Sequence, residues 1–353
     1  MRARDGDGTG PRHARIRPLV AVLSCAAAAS TLSGCTTANR PLAHRASLGQ
    51  EAWVANYAFD SEPGSTVTPV DLVGHRADPR VTTASQPAGL APTAGGTELL
   101  VANRGKDTLS LVTTATGKVT ATATVGLVPS AVTVAPGGPD GMGVALVANF
   151  GANTVTPVDI ATMRAGPPIG VGAEPDALAV APAGPGGPAT ALVANFGSAS
   201  VTPINLSTMT PGAPIAVGSQ PDAVGIVTSA LGPAAIVANF GSNSLTPINL
   251  SSLRPGTTIA IAVNPTGIAV APGGATAWVV GGASITALSA STLTLAPPLA
   301  LPDVAEAVAL EGSSTAWVAL QAGTLVPVTL PGGPVGTPVF VGGRPSAVVI
   351  PTP

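Results

Sequence analysis

The chain has 353 residues and a formal net charge of −2, with 9% charged and 3% aromatic residues against 45% hydrophobic. A near-neutral chain lacks the basic footprint that polyanion binding requires, so nucleic acid is not an expected partner. Its 43 Gly and 37 Pro would suit a disordered chain, but a mean hydropathy of +0.46 argues for a buried core instead.

Residues 1–34 read as a targeting segment. Arg2, Arg4, Arg12, Arg15 and Arg17 give a positive start, diluted by Asp5 and Asp7. Leu19 to Ala29 is an uncharged run, long enough for a signal peptide and too short to span a bilayer. It leads into Leu32-Ser33-Gly34-Cys35, which resembles the lipobox of bacterial lipoproteins. That resemblance implies cleavage before Cys35 and a diacylglyceryl group on its thiol. Residues 35–49 then become the lipidated cysteine and a tether, and the protein is held outside the cytoplasm on the cell membrane. An ordinary cleaved secretory peptide or an uncleaved anchor are the alternative readings. Cys25 lies before the cleavage point, so Cys35 is the one remaining thiol and no intramolecular disulfide is expected.

From residue 50 the chain is periodic. Val-Ala-Asn recurs with Asn56, Asn103, Asn149, Asn195 and Asn239 as its third residue, at spacings of 47, 46, 46 and 44. Trp278-Val279-Val280-Gly281 and Trp317-Val318-Ala319-Leu320 are degenerate copies, making seven. Each copy repeats one grammar: in the third, Pro129–Val134, Val144–Asn149, Thr154–Ile160 and Pro168–Val171 are short β-branched runs between Gly, Pro and Asn turns. Four strands in such a period make one blade of a β-propeller, and no capped helical periodicity competes. The first copy lacks an opening Pro-x-Ala-Val strand, while Pro345–Ile350 is an orphan one at the chain end. Docked as the inner strand of blade one, it closes the ring. The expected fold is therefore all-β: a seven-bladed propeller of four-stranded antiparallel blades spanning 50–353. The degenerate last copies leave six blades plus a degraded one as the other count.

Val237 to Thr246 (Val-Ala-Asn-Phe-Gly-Ser-Asn-Ser-Leu-Thr), followed by Val263-Asn264-Pro265-Thr266-Gly267-Ile268-Ala269-Val270, resembles the YVTN-type propeller repeat. This sequence departs from the repeat with Ala in place of its Thr, and with Thr-Pro inside the third strand at Pro157, Pro203 and Pro247. A proline there removes a ladder donor, so it is expected to face an unpaired side or a bulge. The resemblance implies the fold and leaves the function open.

In a blade whose strands a to d run from axis to rim, the b–c and d–a loops emerge on one face. The b–c loops carry Phe150, Phe196 and Phe240, three of only five Phe in the chain. The d–a loops carry Gln86, Glu174, Asp176, Gln220, Asp222, Asn264, Asp303 and Arg344 at the channel mouth. Scarce aromatics gathered over a polar ring mark a candidate binding face. The plainer alternatives are Asx turns for the repeated Asn, inter-blade cover for the Phe, and solvated rim carboxylates. No metal site, catalytic residue or cofactor is expected. His13 and His44 precede the domain, His75 falls on the opposite face, and no nucleophile elbow or phosphate loop occurs. The sequence-based expectation is thus a monomeric, non-enzymatic propeller lipoprotein binding an envelope protein, peptide or glycan through its loop face. A structural envelope protein is the second reading. The third is a lyase or hydrolase using mouth carboxylates, with Glu174 and Asp222 as its acid–base pair.

Overall fold

The computed structural model describes residues 50–57, 65–135, 143–183, 188–229 and 232–352; the lipobox, Cys35 and the tether lie outside them. Seven antiparallel sheets form a closed propeller. The inner strands a are Pro87–Pro92, Pro129–Ala135, Pro175–Ala181, Pro221–Ser229, Pro265–Val270, Ala305–Glu311 and, for blade 1, Arg344–Val349. This last strand pairs with Glu51–Tyr57, strand b of the same blade, so the two ends of the domain share one sheet. The last two copies build full blades, which settles the count at seven. No helix among the described residues is long and apolar enough to cross a membrane.

The closure is visible in the packing. Alternation along strand b sends Val54 toward blade 7 and Trp53 and Ala55 toward blade 2, and every other blade splits its side chains the same way. The result is seven apolar clusters, one in each interface between consecutive blades. Each fully buried Val or Leu contributes about 1.5–3 kcal/mol of transfer free energy. Toward the axis the residue two after the opening Pro, or after Ala305 in blade 7, is Gly89, Ala131, Ala177, Ala223, Gly267, Ala307 and Ala347. Space explains the small residues: a Cβ on Gly89 would lie 2.7 Å from the Ala131 Cα of the next blade.

The strand-c prolines behave as the sequence suggests. Opposite Pro157 strand d is broken into Arg164–Ala165 and Ile169–Gly170, and Gly166 N–H donates to the Pro157 carbonyl at 2.8 Å. Blades 4 and 5 break in the same place, opposite Pro203 and Pro247. Blade 2 has Leu111 at this position and an unbroken strand d, Lys118–Thr124, whereas blade 6 breaks opposite Ala287, so the proline is not the only cause of the break. The sequence pattern had caught only the second half of each split strand.

The repeated Asn are not Asx turns. Asn103, Asn149, Asn195 and Asn239 are fully buried and reach across to strand c. Asn195 Nδ2 donates to Ser200 Oγ at 3.1 Å and Thr202 Oγ1 at 2.9 Å; Asn239 does the same to Ser244 and Thr246, at 3.1 and 3.0 Å. Asn149 uses Thr154 and Thr156, and its Oδ1 accepts from Gly126 N–H at 3.1 Å. These clamps lock the b–c loop from inside the blade.

Candidate functional site

Strand a opens with the same irregularity in all seven blades. Pro175 pairs with Asn195 and Ala177 with Ala194, leaving Asp176 as an extra residue with no partner in strand b. The same β-bulge makes Ala88, Ser130, Asp222, Thr266, Glu306 and Ser346 the extra residue of their strands. Bulges re-aim side chains. Here they turn the second residue of strand a sideways along the channel wall, toward the next blade.

Three hydroxyls reveal that direction. Ser130 Oγ donates to Pro175 O at 2.8 Å, Thr266 Oγ1 to Ala305 O at 2.9 Å, and Ser346 Oγ to Pro87 O at 3.1 Å, each one blade on. Glu306 reaches Arg344 of blade 1, whose Nε lies 3.0 Å from Glu306 Oε1 and whose Nη2 completes an ion pair. Asp176 and Asp222, one blade apart, meet each other and are joined by a side-chain hydrogen bond. Burial pushes the Asp176 carboxyl above its ordinary value, and the Glu174 charge adds to that. The bonds from Asp222 and Ser130 and the charge of Arg104 oppose the rise. The carboxyl that meets Asp222 is thus Asp176, with the Glu174 charge acting on it from nearby. The Glu174 side chain lies over the blade 4 b–c loop, where a Cβ on Gly197 would come within 2.9 Å of its Oε2.

The d–a loop residues before strand a carry strain. Gln86, Val128, Glu174 and Gln220 have φ of 56°, 55°, 53° and 52°. For β-branched Val128 this region is costly, and neighbouring groups hold it there. Val128 N–H donates to Asp107 Oδ1 at 2.8 Å and its carbonyl accepts Phe150 N–H at 3.0 Å. The same carbonyl position accepts from Arg104, Phe196 and Phe240 N–H, each at 2.8 Å, in blades 2, 4 and 5. Every residue that follows the clamp Asn in these blades is thus fixed by its backbone beside the mouth.

Those residues form an arc. The Arg104 guanidinium lies 5.0 Å from the Phe150 ring centre, and the Phe150 and Phe196 rings are 6.3 Å apart at 47°. All three are half-buried. Phe240 holds the equivalent place in blade 5, its carbonyl accepting from Asn264 Nδ2 at 2.9 Å. Asn264 is thus a loop fastener, as is Asp303, whose Oδ2 accepts from Ala322 N–H at 2.7 Å. Gln220 packs over Gly241 as Glu174 packs over Gly197.

Of the residues singled out in the sequence, Phe150 with Phe196 and Asp176 with Asp222 are brought together. Arg344 is tied to Glu306, and Glu174, Gln220, Asn264 and Asp303 serve the loops. Sequence reading missed Arg104, Ser130, Thr266, Glu306 and Ser346. Arg104 was findable, since it occupies the repeat column of the three phenylalanines. The others follow the strand-a Pro or Ala in every copy, but only the bulge register shows that they point along the ring. His75, on the opposite face, is exposed and meets Trp317 edge-on at 5.4 Å.

No family model matches the sequence, and neither does any curated protein. Solved structures share its architecture. A functionally unknown protein from Desulfotomaculum acetoxidans aligns with a TM-score of 0.72 at 15% identity, over 86% of this chain and 99% of that one. Kuenenia stuttgartiensis hydrazine synthase aligns at 0.64 and 20% identity, over 74% and 89%. The dihydro-heme d1 dehydrogenase NirN, solved in complex with DHE, aligns at 0.61 and 16% identity, over 88% and 77%. At these identities the likeness gives the fold. It also corrects one expectation. Two of these propellers are named as enzymes, so scarcity of His and thiols is no ground for ruling out catalysis on this ring. The physical reason is that acid–base chemistry needs only one or two positioned carboxyls, which a count of His and Cys does not register.

Proposed function

We propose that this chain is an extracytoplasmic lipoprotein of the YVTN-repeat type, anchored through Cys35, whose propeller binds a ligand at the channel mouth of its loop face. The lipobox at Leu32–Cys35 and the recurrent Val-Ala-Asn copies support the address and the kinship. The observation that carries the binding reading is the arc of Arg104, Phe150 and Phe196 across three consecutive blades, beside the Asp176–Asp222 pair. Preorganised aromatic and charged groups on a rigid scaffold bind with little ordering cost. The ligand is drawn from envelope glycans, peptides or proteins, and a closed ring engages it as a monomer.

The acid pair favours a second reading, in which binding is followed by proton transfer to or from the ligand. Two carboxyls side by side, the Asp176 one raised above its ordinary value by burial, are the equipment of acid–base chemistry.

The test is capture from envelope extract by the full-length chain beside its Phe150→Ala/Phe196→Ala/Phe240→Ala variant, with folding checked by circular dichroism. A ligand retained by the parent and lost by the folded variant is the expected result. Equal retention by both overturns the loop-face reading and returns the ring to a spacer role. Turnover of a captured ligand that Asp222→Asn abolishes would establish the second reading.

A further inference from the structure

We propose that the mouth is a saccharide site, in which an uncharged sugar ring lies against Phe150 and Phe196 and directs its hydroxyls at Asp176, Asp222 and Arg104. The proposal rests on the loop-face reading and narrows its ligand to one class.

Charge makes the first selection. The groups at the mouth have mixed sign: the Arg104 guanidinium is positive, and Glu174, Asp176 and Asp222 are carboxyls. A cation drawn to the pair meets Arg104, and an anion drawn to Arg104 meets the carboxylates. Either ion would bring a charge into a half-buried site already occupied by its own sign. A hydroxyl escapes this conflict, because it donates to an ionised carboxylate and accepts from a protonated one or from guanidinium.

Shape makes the second. A pyranose has an apolar C–H face and a hydroxyl rim. The two Phe rings, 6.3 Å apart and tilted at 47°, offer apolar faces, with the Arg104 guanidinium 5.0 Å from the Phe150 ring centre. The exposed large apolar residues of the described chain are Val73, Val119, Leu127, Leu253, Val304 and Phe340, spread over the ring. They supply no apolar centre of the kind that standard protein interfaces of ~800 Å² per partner contain.

Loop length gives the site a direction. Blades 3 to 5 place four residues between strands b and c, such as Phe150–Asn153. Blade 6 has only Gly282 and Ala283 there, and blade 7 has Gln321–Gly323. The wall is lower on that side, so further sugar units leave the mouth over blades 6 and 7.

The experiment is calorimetric titration of the full-length chain with chitotetraose, maltotetraose and xylotetraose as neutral probes, and with tetragalacturonate and tetralysine as charged ones. The expected result is binding of a neutral oligosaccharide that weakens roughly tenfold or more in Phe150→Ala/Phe196→Ala and in Asp222→Asn. Val73→Ala, in the c–d loop of blade 1 on the opposite face, leaves it unchanged. Binding confined to a charged probe overturns the proposal, as does absence of any neutral binding. If neutral probes fail while envelope capture still depends on the phenylalanines, the saccharide class falls and the loop-face reading stands. If Asp222→Asn does not fold, the phenylalanine pair decides.

Discussion

Blade 4 and blade 7 close the same hairpin by opposite chemistry. In blade 4, Asn195 is fully buried and bonds Ser200 and Thr202 across the strand pair, and a four-residue loop lifts Phe196 to the mouth. In blade 7 the equivalents are Leu320, Thr324 and Val326, an apolar contact 1% exposed at Leu320, under a shorter loop that carries Gln321. Blade 6 goes further: Gly281 replaces the Asn because a Cβ there would fall 2.3 Å from the Asn264 carbonyl oxygen. The clamp is therefore one solution to fixing the loop, and it accompanies the blades that present a flat side chain at the mouth. Scaffold and site are coupled in blades 2 to 5 and uncoupled in blades 6 and 7.

That comparison can be broken from either side. The largest effect is expected for Leu320→Ala, which empties a fully packed position between blades 6 and 7 and should cost about 2–5 kcal/mol in chemical denaturation. Asn195→Ala should cost about 1–3 kcal/mol, since it leaves buried hydroxyls of Ser200 and Thr202 without their donor. If the two chemistries are interchangeable, transplanting blade 7 into blade 4 as Asn195→Leu/Ser200→Thr/Thr202→Val should recover most of that loss. A triple variant no more stable than Asn195→Ala would show that the clamp does something that apolar packing cannot replace.

A smaller effect belongs to the acid pair. Asp176 binds its proton more tightly in the folded chain than in the unfolded one, because its folded pKa lies above 3.8. Stability must then fall as pH rises from about 4 through the raised value, where the folded state holds the extra proton. Asp176→Asn removes that dependence and should flatten the melting temperature against pH across this window. The smallest effect on stability is expected for the Phe150, Phe196 and Phe240 truncations. They are half-buried above the blades and should cost about 1 kcal/mol or less each in denaturation.

How much was legible follows from what is local. The ring, its closing strand and the proline breaks were readable because each rests on a repeated spacing or on a missing N–H donor. The Asn clamp was misread although its hydroxyl partners stand at fixed offsets of five and seven residues, as in Asn149, Thr154 and Thr156. An Asx turn is the nearest explanation for an Asn at a turn, and the cross-strand partners are recognisable only once register is known. The seven bulges were hidden for the same reason. A bulge is a relation between two strands, so nothing in Pro-Asp-Ala-Leu alone states that Asp176 turns along the ring to meet Asp222. The exclusion of catalysis failed differently, by counting residue types where arrangement decides.

The most direct test of the account is an NMR titration of the aspartate side-chain carboxyls in the parent chain and in Asp222→Asn. Asp176 in the parent is expected to titrate above its ordinary value, because burial disfavours its charged form, and that titration is expected to change in the variant, which removes the neighbouring carboxyl. Titration of Asp176 at its ordinary value, unchanged in the variant, would contradict this and would remove the perturbed acid from the mouth of the ring.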